Sequence, residues 1–181
     1  MKSVLSFIVL FLISILTLTS TVEAKSGDRL KYMPVQDGGR VKPFDSFARE
    51  TLELVYGRST FKRPSTGQSE PAYLIVMSFL LSPESWVEVP LFEVNNLEIK
   101  KYLGLNAEDK HFKGNELFKG EKFANLMQQL NDKREAKEKL NPYFQAVQRL
   151  ENQLYTFREL TAGRYIKVMP VAGTDSWLGV A

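Results

Sequence analysis

Ten consecutive residues, Ala72–Leu81 (AYLIVMSFLL), carry no charge and a single hydroxyl on an aliphatic-sized side chain, Ser78. At ten residues the run is too short to span a bilayer as a helix, which takes about 20. A helix that is apolar nearly all round belongs inside a protein, so the rest of the chain is predicted to wrap around it. Glu70 and Pro71 open this helix and Ser82-Pro83 stops it.

The segments on either side read as follows. Leu30–Val35 is a short extended piece, and Gln36-Asp37-Gly38-Gly39 is a turn, because Asp-Gly and Gly-Gly accept positive φ. Arg40-Val41-Lys42 leaves that turn, giving a hairpin-like entry. Pro43 suits the first turn of a helix and Asp45 meets the positive end of its dipole. Phe44, Phe47, Ala48, Thr51, Leu52, Leu54 and Val55 then share a face at helical spacing until Gly57. Arg58–Ser69 is a loop. Trp86–Phe92 is a strand or an extended strap, Glu98–Leu103 a short helix closed by Gly104, and Asn106–Gly114 a charged loop.

In the second half, Phe123, Leu126, Met127 and Leu130 mark one helix, expected over Glu116–Lys137. Asn141-Pro142 caps the next. Tyr143, Val147, Leu150, Leu154 and Phe157 recur by four and three, a heptad-like spacing that predicts an antiparallel pair with Leu150 and Leu154 inside. Gly163 ends it, and Arg164–Pro170 reads as a strand. The expected fold is mainly α with minor β: a small helical domain with a long antiparallel helical pair and a short strand pairing near the two ends.

Residues 1–24 read as a segment apart from that fold. Lys2, the apolar run Val4–Leu18 and Val22-Glu23-Ala24 have the order of a secretory signal peptide cut after Ala24. An uncleaved anchor is the alternative. Residues 25–181 then form one periplasmic domain. Cysteine is absent, so disulfides and thiolate metal sites are excluded and the domain relies on its core. A composition 44% hydrophobic and 12% aromatic is enough to build one. The net charge is +3, with bases mixed among acids as in KREAKEK, which gives no footprint for nucleic acid. Peripheral association with an anionic membrane surface is compatible with this balance.

Chemistry-bearing constellations are sparse. His111 is the single histidine, which rules out a histidine-dependent triad or a multi-histidine zinc site. It is read as a residue of a charged loop, with a lone haem ligand or general base as the alternative. Glu50 and Glu53 lie three apart on one helix; a glycan hydrolase would need such a carboxylate pair in a cleft. Gly38-Gly39 lacks the remaining pattern of a phosphate loop. No residue set specifies a reaction, and no enzyme activity is expected.

The string VQDGGRVKPFDSFARETLELVYGRSTF, Val35–Phe61, resembles a pattern in extracytoplasmic segments of system II cytochrome c biogenesis proteins of the CcsA/ResC type, particularly the fused forms. There, a "VQ…GR[IMV]KP…[ST]F" string leads into a helix, a loop with an aromatic, and an apolar helix ending near a proline and a tryptophan. Here YLIVMSFLL and SPESW occupy the last positions, and Met169-Pro170 to Trp177 also looks like that region. The tryptophan-rich WWD motif of the family's membrane core is missing: Trp86 and Trp177 stand far apart. Haem-ligating and thioether-forming roles therefore transfer to no residue, and no bound cofactor is expected. The resemblance implies a detached periplasmic accessory or binding module for cytochrome complex assembly, docking on a CcsA/ResC-like membrane protein or on apocytochrome c. Arg40, Lys42 and Arg49 are the candidate partner-binding residues, a basic edge for carboxylates or haem propionates. A structural role competes with this: Arg40 closing the turn and Asp45 pairing with Arg49. The functional alternatives are a freestanding helical, chaperone-like polypeptide binder and the glycan hydrolase.

Overall fold

A computed structural model describes residues 29–118 and 120–179. The expected signal peptide, residues 1–24, lies outside them. No helix among the described residues is long and apolar enough to cross a membrane.

The opening hairpin pairs β1 (Pro34–Asp37) with β2 (Arg40–Pro43) and runs directly into α1 (Phe44–Tyr56). Pro43 is the last residue of β2 and the residue before the helix, at φ −60° and ψ 144°, so the helix starts one residue later than its sequence signal. Gly57 closes α1 in the left-handed region at φ 79°, donating to Glu53. A second hairpin follows, β3 (Thr60–Lys62) with β4 (Ser69–Pro71), then α2 (Ala72–Leu81) and a 3-10 turn, Pro83–Trp86. β5 (Phe92–Glu93) pairs with β6 (His111–Phe112) around α3 (Leu97–Leu103). Next come α4 (Gly114–Leu117), α5 (Glu121–Glu135) and α6 (Pro142–Thr161), and the chain closes on β7 (Lys167–Pro170) and β8 (Trp177–Gly179).

The mainly helical expectation does not survive. The chain is about 50% helical and 17% strand, with six helices and three small antiparallel sheets among the described residues, a small mixed α/β domain rather than a helical pair. Two physical reasons account for the miss. The missed strands are two or three residues long, too brief to show a period of two. Arg58–Ser69 therefore read as loop although Thr60–Lys62 pairs with Ser69–Pro71, and the charged loop before Gly114 hides His111–Phe112. The second reason lies in α6. Its buried face is Val147, Leu150, Gln153, Thr156 and Leu160, whereas Leu154 is half-buried. That face lets α6 pack on α1, α2, α3 and α5, so it is a shared central helix and not one arm of a pair.

The predicted core helix α2 buries Ala72, Tyr73, Ile75, Val76 and Phe79 but leaves Leu74 and Leu81 exposed. Its Phe79 ring lies edge-on to Trp86 (4.8 Å) and Phe157 (5.2 Å), and Trp86 reaches Phe61 (5.1 Å). Phe157 continues to Phe92, Phe92 to Phe118 and Phe118 to Phe123. This chain of rings ties both halves of the sequence into one core. The Trp86 indole N–H is satisfied by Ser78 Oγ at 3.1 Å, which explains the hydroxyl in an otherwise apolar helix.

Candidate functional site

The turn Asp37-Gly38-Gly39-Arg40 has both glycines at positive φ, 57° and 77°, as a two-residue hairpin of type I′ requires. A Cβ at either glycine would meet nothing within 4 Å, so backbone angle rather than crowding calls for glycine there. The hairpin belongs to a four-stranded sheet of order β2-β1-β7-β8, in which Gln36 stands opposite Lys167 and Met169 opposite Leu178. The two ends of the described chain thus meet in one sheet.

Strand alternation divides this sheet into two faces. Val35 and Ile166 are fully buried and Val168 packs on the core, so they point inward. Gln36, Val41 and Lys167 share the other face through their pairing. A register shift between Lys167 and Met169 then interrupts the alternation and pairs Met169 with Leu178, the neighbour of Lys167's partner Gly179. An antiparallel sheet with one wet face normally carries polar residues there. Here Val41 is 57% exposed, and Met169 (51%) and Leu178 (56%), paired with each other, form a second exposed apolar site at the β7–β8 end of the sheet.

Two members of the basic edge expected from Arg40, Lys42 and Arg49 are paired with nearby acids. Lys42 Nζ sits between Asp37 (2.9 Å) and Glu50 (2.6 Å), and these hydrogen bonds, Glu50 first, hold its pKa above the usual lysine value. Arg49 pairs with Asp45 one helical turn back at 2.8 Å. Arg40 is exposed and makes no side-chain hydrogen bond or ion pair among the described residues. Glu50 and Glu53 are both exposed, and Glu50 is engaged by Lys42. They do not converge on a cleft.

Beside the turn lies a cleft of about 280 Å³, lined by Asp37, Gly38, Gly39, Tyr155, Tyr165 and Lys167 among others. At its rim Arg164 grips Glu159 with two hydrogen bonds of 2.8 Å, which lowers the Glu159 pKa. Lys167 has no carboxylate partner among the described residues. The sheet and the cleft beside it therefore offer exposed apolar side chains, two tyrosines and two cations without an acidic partner among the described residues, Lys167 and Arg40. Its groups suit recognition of a partner surface. Among the described residues no group of three His, Asp or Glu side chains is placed to hold a metal ion.

His111 lines a cavity of about 580 Å³ with Leu105, Asp109, Lys113 and Glu116. Its ring, however, serves the fold. Nε2 lies 2.8 Å from the Tyr56 carbonyl oxygen, so this nitrogen carries the proton, and the ring stacks on Tyr56 at 4.3 Å. Gln153 Nε2 donates to the carbonyls of Leu54 and Glu93 at 3.1 Å each, and Arg149 donates to Glu53 O at 3.4 Å. Three side chains thereby satisfy the last-turn carbonyls of α1. Lys100, also buried, fastens the loop beside that cavity by donating to Ala107 O (2.8 Å) and Asp109 O (2.6 Å). The sequence carried no signal for either arrangement, since Gln153 and Lys100 look like surface residues of charged helices.

No protein-family model matches the chain, and no curated protein matches it in sequence.

Proposed function

We propose that this protein is a non-enzymatic periplasmic accessory module of the system II cytochrome c assembly machinery, and that it docks through the four-stranded sheet on a CcsA/ResC-like membrane protein or on apocytochrome c. One observation carries the reading. The two segments that resemble the family, Val35–Phe61 and Met169–Trp177, are distant in sequence, and the fold joins them in one sheet that carries the exposed apolar side chains Val41, Met169 and Leu178. The freestanding chaperone-like alternative draws less support. Among the described residues of α5 and α6, Tyr155 alone is an exposed large apolar or aromatic side chain.

The test is capture from native membranes with the tagged protein as bait, paired with deletion of its gene. Recovery of a multi-span membrane protein bearing the WWD motif, or of an apocytochrome, together with loss of mature c-type cytochromes on deletion, is the expected result. Normal cytochrome levels in the deletion strain and no such protein in the capture would overturn the reading.

A further inference from the structure

We infer that the outer face of α2 rests on a lipid bilayer, the same bilayer that retains the uncleaved segment Ser3–Val22. This contact is separate from the assembly role proposed above and does not depend on it.

Helical spacing collects Leu74, Met77, Ser78 and Leu81 on one side of α2, opposite the buried Ala72, Ile75, Val76 and Phe79. Leu74 is 43% exposed and Leu81 71%, and Met77 is half-buried. Ser78 adds no polarity to this side, because its hydroxyl donates to Ile75 O and accepts from the Trp86 indole. A helix at a protein surface ordinarily carries charged or polar groups on its outer side. In α2 there is no Asp, Glu, Lys or Arg at any position.

What covers the face follows from the chain that precedes it. Ser3–Val22 carries no charge over 20 residues, and a membrane-spanning helix takes about 20. Glu23–Asp28 alone separate it from Arg29, and six residues reach at most about 20 Å. The entry segment then runs beside α2: Lys31 Nζ stands 5.1 Å over the ring of Tyr73, in the first turn of that helix. The apolar face is therefore tied within a short reach of the bilayer. Arg29 and Tyr32 are exposed on the entry segment, and bases and tyrosines are favoured at the level of the headgroups.

Other occupants fit less well. A protein partner or a second copy ordinarily engages about 20–30 residues a side, and this face offers three apolar side chains. A bilayer needs no matching shape, and a tether presents it at high effective concentration, so a small apolar face is enough.

The test uses the full chain in vesicles of phosphatidylethanolamine and phosphatidylglycerol. The sequence has no cysteine, so single substitutions can each carry a nitrobenzoxadiazole label that reports its surroundings. Labels at Leu74→Cys and Leu81→Cys are expected to emit at shorter wavelength and to be quenched by brominated lipid. Labels at Lys101→Cys on α3 and Met169→Cys on β7, both exposed positions, are expected to emit as in water and to escape quenching. Adding Leu81→Asp to the labelled Leu74→Cys protein should abolish its quenching, and melting curves establish that each variant is folded. Absence of quenching at Leu74 and Leu81, or equal quenching at all four positions, would overturn the inference. Mutual quenching of the labels that grows with protein density, without any effect of brominated lipid, would point to a second copy and overturn it too. Recovery of the envelope protein with Lys25 as its first residue would remove the tether, with the same consequence. If lipid quenches the label at Leu81 but native capture yields no cytochrome assembly component, the bilayer contact stands and the assembly reading falls. Successful capture without lipid quenching reverses that outcome.

Discussion

The two ends of α1 are held by opposite means. At its N-terminal end the partners are neighbours in sequence. Phe44 N–H donates to Met33 O and Asp45 N–H to Lys31 O, while Lys42 bridges Asp37 and Glu50 within eight residues. At its C-terminal end the partners come from 55, 96 and 99 residues away: His111, Arg149 and Gln153. The first end is wet and leaves Arg40 without an acidic partner beside it. The second is drier and commits the donors of His111, Arg149 and Gln153 to the fold, although the buried Oε1 of Gln153 has no hydrogen-bond partner among the described residues. A buried carbonyl without a donor is costly, and an exposed cation without a partner is nearly free. Free cations on the wet end are therefore available for recognition, whereas the donors of the dry end are already employed.

That contrast breaks most sharply at Gln153. Its side chain is fully buried and supplies both donors that reach Leu54 O and Glu93 O. Gln153→Leu keeps the volume and strands both carbonyls, so a loss of about 2–4 kcal/mol is expected in chemical denaturation. A loss under ~0.5 kcal/mol, the range of surface substitutions, would show that the dry end is not what holds α1.

His111→Ala follows, with an expected loss of about 1–2 kcal/mol from one hydrogen bond and one stacked ring. Capture of partners should then change only as far as folded protein is lost. A His111→Ala protein that melts like wild type yet captures no partner would move the functional site to the cavity beside β6 and undo the comparison.

These outcomes bear on what the sequence made legible. The hairpin, the start and end of α1, the Asn141-Pro142 cap and the Asp45–Arg49 pair are local events, decided by residues within a few positions of one another. Sequence order exposes such events directly. The role of Gln153 depends on α6 crossing the end of α1, and nothing near Gln153 in the sequence encodes that crossing. The heptad-like reading of α6 failed for the same reason: it placed Leu154 inside because it assumed one partner helix, while four neighbours rotate the buried stripe onto Gln153. Of the candidate basic edge, Arg40 alone is free, because Lys42 and Arg49 find acids that the sequence placed close by. Lys167 was overlooked altogether; its importance arises from strand pairing across 131 positions, Gln36 to Lys167.

A smaller effect separates the ends by pH. Arg164, through two hydrogen bonds and then through its charge, holds Glu159 below the ordinary carboxylate value of 4.5. A carboxyl with a lowered folded pKa contributes stability that is complete above its unfolded value and is lost as pH falls through the folded one. Melting temperature is therefore expected to decline on acidification below about pH 4.5, and Arg164→Gln should flatten part of that decline. An unaltered acid limb in Arg164→Gln would show that the pair at the cleft rim does not anchor the wet end.

The smallest change in stability is expected at Arg40, and for that reason it is the most discriminating. Arg40 is the residue after the two glycines, its Cα opposite Asp37, whose carboxylate is taken by Lys42. If Arg40 closed the turn through its side chain, truncation would cost stability. With no side-chain hydrogen bond or ion pair to lose among the described residues, Arg40→Ala is expected to melt within the range typical of exposed sites, about ±0.5 kcal/mol. Binding is a separate matter. A charge-assisted hydrogen bond to a partner carboxylate contributes about 1.5–3 kcal/mol, so partner affinity should fall by roughly tenfold or more while the fold stays intact. Melting and partner binding measured on one preparation distinguish the cases. Lower stability with proportionate loss of binding would return Arg40 to the fold and make the wet end structural after all. Unchanged stability with unchanged binding would confine recognition to the sheet face around Lys167, with the turn serving only to hold β1 and β2 in register.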